Sequence, residues 1–103
     1  MNKYIFLYSG GPGMPKDPAE AKAGMEAWMA YYGKIQAALA DGGAPLVPGG
    51  ELLGGGSASG VTGFTIVHAE NMAKAVALTE GHPYLARGGH IEVRECMDMS
   101  AMK

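Results

Sequence analysis

Residues 63–95 read GFTIVHAENMAKAVALTEGHPYLARGGHIEVRE, and the architecture turns on how they divide. The opening GFTIVHA is rich in β-formers and predicts a strand over 62–68. Glu70 or Asn71 then offers an N-cap acceptor for MAKAVALTE. Its Met72, Ala75, Val76 and Thr79 fall along one side of a helix predicted over 71–80. Gly81 stands where a left-handed C-cap belongs, and Pro83 prevents the helix from continuing. From 90 to 97 the residues alternate, with Ile91, Val93 and Glu95 on one face and His90, Glu92, Arg94 and Cys96 on the other, as in a half-buried strand. Most of GHPYLARGG is then a connector: Pro83 to Leu85 form a short turn, and Gly88-Gly89 swing the backbone into the last strand.

The first half of the chain repeats this plan. YIFLY, residues 4–8, is apolar at every position and predicts a strand over 3–9 whose two faces are both covered. Asp17-Pro18-Ala19-Glu20 supplies an N-cap acceptor, a proline at N1 and a carboxylate at N3, so a helix begins near Pro18. Its apolar stripe runs Ala21, Met25, Trp28, Tyr32, Ile35, Leu39, with Gly42 as the cap, predicting a helix over 18–41; Tyr31 lies off that stripe. Ala44 to Val47, between prolines, fits an edge strand over 44–48.

The order βαββαβ is an α+β class, the ferredoxin-like sandwich: a four-stranded antiparallel sheet with two helices on one face. One sheet face is left bare, yet YIFLY is apolar on both sides. A second copy of the sheet is the economical cover, which predicts a homodimer built as a dimeric α/β barrel.

At 103 residues the chain suits one domain, 1–103. Eight basic residues against ten acidic ones, with no Lys/Arg stripe, argue against nucleic acid and membrane as partners and for a small molecule. YIFLY is shorter than the apolar region of a signal peptide, so the expected location is cytoplasmic. Cys96 has no partner for an internal disulfide or a Cys-pair zinc motif. The glycine-rich runs SGGPG and GGELLGGGSASG lack the GK[ST] ending of a phosphate loop and read as turns.

Three histidines raise the question of a metal. A helix of about ten residues spans roughly 15 Å and puts His68 at one end of the sheet, with His82 and His90 at the other. No metal and no cofactor are therefore expected. Met97, Met99 and Met102 are expected to pack their thioethers on apolar surface rather than hold Cu(I). Trp28 and Tyr32 belong to the stripe that faces the sheet, so they read as core before ligand platform. Glu92 and Arg94 point to the dimer-facing side, either as an ion pair that fixes dimer register or as groups lining a ligand cleft. The ligand-binding candidates are thus Arg94, Glu92 and Tyr84, with His82, His90 and Glu92 as candidates for proton transfer.

GHPYLARGG and IEVRE, with the Trp28-to-Gly33 segment of AWMAYYGKIQAALADGGAPL in order and spacing, resemble the YCII-related family over most of the chain. The resemblance implies a ferredoxin-like domain that dimerises sheet to sheet. It also implies a departure. Some members have been proposed as enzymes using a histidine of the first helix and an aspartate just before the Pro-Tyr that follows the second. Here the first helix has no histidine, and His82 precedes Pro83-Tyr84, so that dyad does not carry over. The DGPF signature of another branch is absent as well. Two readings remain: a site for a compact polar metabolite at the dimer-facing sheet, or a non-catalytic dimeric module.

Overall fold

The computed structural model describes residues 1–11, 17–47 and 49–99. Strands β1 (Asn2–Gly10), β2 (Leu39–Pro45), β3 (Val61–Ala69) and β4 (Gly89–Cys96) form one sheet in the order β2-β3-β1-β4. Every neighbouring pair is antiparallel. Helix α1 (Pro18–Ile35) joins β1 to β2, and α2 (Met72–Ala77) with the short α3 (Pro83–Ala86) joins β3 to β4. This is the expected ferredoxin-like α+β arrangement. Part of the SGGPG turn, the end of the strand expected over 44–48 and Met102 lie outside the described residues.

Strand alternation divides the sheet cleanly. Tyr4, Phe6 and Tyr8 of β1 and Thr65, Val67 and Ala69 of β3 are buried on the helix side, where Tyr31 and Ile35 of α1 and Ala75 of α2 meet them. Ile91 and Val93 pack against that core. The opposite, outer face carries Ile5 and Leu7, which pair with Ile66 and Phe64 on one side and with Arg94 and Glu92 on the other.

The helix caps follow the sequence. Asp17 Oδ1 accepts from Ala19 N at 2.9 Å, and Asn71 Oδ1 accepts from Lys74 N at 2.9 Å. The second helix ends at Ala77 with Leu78 as its cap, short of the expected 80, and Gly81, left-handed at φ 76°, closes the turn that follows it.

Three further expectations are corrected. The first helix ends at Ile35 rather than 41, and a 3-10 turn over Gln36–Ala38 turns the chain into β2, which starts at Leu39 rather than 44. Leu39 does continue the helical spacing, but it pairs with Val67, and the sheet ladder takes it. Tyr31 is buried, whereas Met25 is 67% exposed. Only the C-terminal half of α1 lies over the sheet, so its buried face is the i, i+3, i+4, i+7 set Trp28, Tyr31, Tyr32, Ile35. Met97 and Met99 are exposed instead of packed.

Candidate functional site

Three elements converge on His82, which is 1% exposed. β1 brings Tyr8, β3 brings Thr65, and α1 lays Trp28 and Tyr31 across the histidine ring, with centroids 4.7 and 4.2 Å away. His82 is itself the N-cap of α3: its Nδ1 accepts from Tyr84 N at 3.0 Å, with Pro83 at the first helical position.

That cap fixes the tautomer. With Nδ1 accepting, the ring proton sits on Nε2 and donates to Tyr8 Oη at 3.0 Å. Tyr8 O–H donates to Thr65 Oγ1 at 2.7 Å, and Thr65 donates to Gly42 O at 3.4 Å. Tyr32 O–H donates to the same carbonyl at 3.0 Å. The relay is saturated; among the described residues every buried side-chain nitrogen and oxygen has a partner.

Burial pushes the His82 pKa down to about 4. The same cause holds the Tyr8 phenol well above its ordinary range, against the hydrogen bond to Thr65, which pulls it down. Tyr31 is pushed up to about 12, first by burial and then by Tyr32 beside it. His82 is accordingly neutral at pH 7, and a second proton on Nδ1 would face the Tyr84 N–H donor to donor.

A pH dependence follows. The native state resists protonation of His82 while the unfolded chain accepts it near 6.5, so stability is unaffected above pH 6.5 and falls as pH drops from there toward 4. Between pH 7.5 and 4.5 the wild type is expected to lose about 2.5 kcal/mol more than His82→Asn, measured by urea denaturation. Equal losses in both proteins would show that His82 does not resist protonation.

Tyr84 is anchored beside this relay. Its ring stacks on Tyr8 at 5.1 Å, its hydroxyl donates to Gly10 O at 2.7 Å and lies 2.8 Å from Thr62 Oγ1. Gly89 makes room for the ring, since a Cβ there would stand 2.0 Å from it.

The other residues singled out by sequence lie elsewhere. His90 is exposed at the end of β4, close over Gly10, and His68 pairs with Lys3 at the opposite end of the sheet. No group of three His, Cys, Asp or Glu suited to a metal occurs among the described residues. Glu92 and Arg94 are on the outer face as the alternation requires, bonded to each other at 3.2 Å with side chains 62% and 68% exposed in the protomer. An ion pair that exposed contributes only about 0 to 1 kcal/mol.

A hollow lies on the helix side. It is a shallow groove of about 280 Å³ between α1 and the loop-α3 segment, lined by Gly24, Ala27, Trp28, Gly81, Pro83, Ala86 and Arg87. A second hollow adjoins it and shares Gly24 and Arg87, adding Ala23 and Glu20. Trp28 forms part of the wall, with the His82 relay behind it.

The model of the YCII-related domain matches residues 4–100. The chain belongs to the YCII-related family. No curated protein matches it in sequence. Among solved structures it is similar to the 5-chloro-2-hydroxyhydroquinone dehydrochlorinase of Burkholderia phenoliruptrix AC1100, solved in complex with 2,5-dihydroxybenzoquinone. The two share 20% identity over 98% of each chain with a TM-score of 0.61, a likeness of fold. No helix among the described residues is long and apolar enough to cross a membrane.

Of the residues singled out in the sequence, His82 and Tyr84 fall at the relay and Glu92 and Arg94 on the outer face; Tyr8, Thr65, Tyr31 and Arg87 are not among the sequence candidates. In the sequence Tyr8 and Thr65 read only as strand residues, because the Tyr8 hydroxyl meets a histidine 74 positions away and Thr65 joins the relay only through Tyr8, 57 positions from it. The signal available for Tyr31 was its i, i+3 relation to Trp28.

Proposed function

We propose that this YCII-related chain is a cytoplasmic homodimer that binds a compact, ring-bearing anion in the α1–α3 groove. The carrying observation is the make-up of that groove: glycine, alanine and proline walls, one indole and one guanidinium. Gly24, Ala27, Pro83 and Ala86 let a flat ring approach closely, Trp28 gives it an aromatic wall, and Arg87 supplies charge for a carboxylate or phenolate. The solved relative's bound 2,5-dihydroxybenzoquinone is a small ring of this kind. Tyr84, stacked and hydrogen-bonded beneath, fixes the α3 wall of the site.

The activity is binding. His82 takes no direct part in proton transfer from the groove, because Nδ1 accepts from Tyr84 N, Nε2 donates to Tyr8 and the ring is sealed from solvent. Glu92 and Arg94 belong, on this reading, to the dimer contact: the outer face presents Ile5, Leu7, Phe64 and Ile66 in one patch beside them. A dimeric module without a ligand is the second reading, favoured by the saturation of the buried relay.

A thermal-shift series with benzoate, 4-hydroxybenzoate and 2,5-dihydroxybenzoquinone separates the two. At a concentration of about 100 times Kd a ligand stabilises the native state by about 2.7 kcal/mol, which is many degrees in Tm for a chain of this size. At least one ring anion is expected to raise Tm in the wild type and not in Arg87→Ala. No shift from any of them at millimolar concentration would favour the module.

A further inference from the structure

The outer sheet face carries two cross-strand rows, Glu92–Leu7–Phe64 and Arg94–Ile5–Ile66, running over β4, β1 and β3. Each row begins with a charge and continues with two large apolar side chains, and the two charges are opposite in sign. Such a surface is complementary to itself. A two-fold axis lying between two stacked sheets and crossing the strands midway between the rows brings each row over the other row of the second copy. Leu7 then meets Ile5 of the partner subunit, and Phe64 meets Ile66 of the partner subunit.

We infer that two copies meet in this register, with Glu92 of each protomer against Arg94 of the partner subunit; the inference rests on the homodimer reading above and specifies its geometry. Within one protomer the pair is already made, through Arg94 Nη1 and Glu92 Oε2 at 3.2 Å. That bond uses one nitrogen of a guanidinium with five N–H donors and one oxygen of a carboxylate, leaving both groups able to take a second partner. Covering the face removes water from both charges, and a buried charge is tolerated only when its remaining hydrogen-bonding capacity is met. The exchange meets it on both sides at once, closing a ring of four alternating charges around the axis. A register displaced so that Arg94 faces Arg94 would set like charges together in a water-poor interface and is selected against.

Charge reversal tests this, because both side chains are exposed in the protomer and their replacement leaves the core intact. The oligomeric state is followed by analytical ultracentrifugation for wild type, Glu92→Arg, Arg94→Glu, an equimolar mixture of the two variants, and the double reversal. The wild type is expected to be dimeric, each single variant to dissociate with a Kd raised roughly 100-fold, and the mixture and the double reversal to regain the dimer. Single variants that dimerise as tightly as wild type, or a mixture that stays monomeric, would overturn the register while leaving the homodimer. A monomeric wild type would instead overturn the homodimer itself.

Discussion

His82→Ala is expected to lower folding stability by about 3 kcal/mol, and His82→Asn to recover about 1 kcal/mol of that. The alanine variant loses three things together. The ring leaves a hole among Trp28, Tyr31 and Tyr8, whose rings pack against it at centroid distances of 4.7, 4.2 and 5.1 Å. The Tyr84 N–H loses its acceptor at the start of α3. Tyr8 Oη loses its donor, though it still donates to Thr65. Asparagine restores only the cap acceptor, so the gap between the two variants measures the cap apart from the ring. Urea denaturation at pH 7.5 reads both, and a loss below 1 kcal/mol in His82→Ala would show that the ring is loosely held.

Gly43→Ala is expected to be at least as damaging, about 3 to 4 kcal/mol. Gly43 lies in the irregular part of β2, between Asp41, which pairs with Ile66, and Ala44, which pairs with Phe64. Its φ is +70°, a conformation alanine adopts at a penalty of about 1 kcal/mol. The larger obstacle is steric: a Cβ there would fall 1.7 Å from the Phe64 carbonyl oxygen, a backbone atom held in the β1–β3 ladder. The only relief is for β2 to lift off β3, taking with it Gly42 O, the acceptor for Tyr32 and Thr65. Gly42→Ala, with nothing within 4 Å of the added carbon, is the control and is expected to be mild.

Those glycines also show where sequence reading reached its limit. Gly42 was expected to cap a helix, because Trp28, Tyr32, Ile35 and Leu39 keep helical spacing up to it. Spacing cannot reveal that Leu39 has a better partner in Val67, a contact fixed only when β3 arrives. Tyr31 was displaced from the buried set for a related reason: a stripe drawn over the whole helix averages two halves, and only one of them lies over the sheet. Local signals with local causes were legible. Asp17 and Asn71 cap their helices, Gly81 is left-handed in the turn after α2, and β4 alternates so that Glu92 and Arg94 face outward. The relay and the groove were not, since Tyr8, Thr65 and His82 come from three separate elements, and Gly24 and Arg87 become neighbours only when α1 crosses α3.

The most direct test of the binding site uses the chain's single tryptophan. In a ¹H–¹⁵N spectrum Trp28 gives the one indole N–H signal, and 2,5-dihydroxybenzoquinone or 4-hydroxybenzoate is titrated against it. The expected result is a saturable shift of that signal together with the Gly24, Gly81 and Arg87 amides, which line the same groove, while the Ile5, Leu7 and Arg94 amides of the outer face stay still. Saturable shifts confined to Glu92, Arg94 and their neighbours, with the Trp28 indole unmoved, would contradict the groove and return the site to the sheet face.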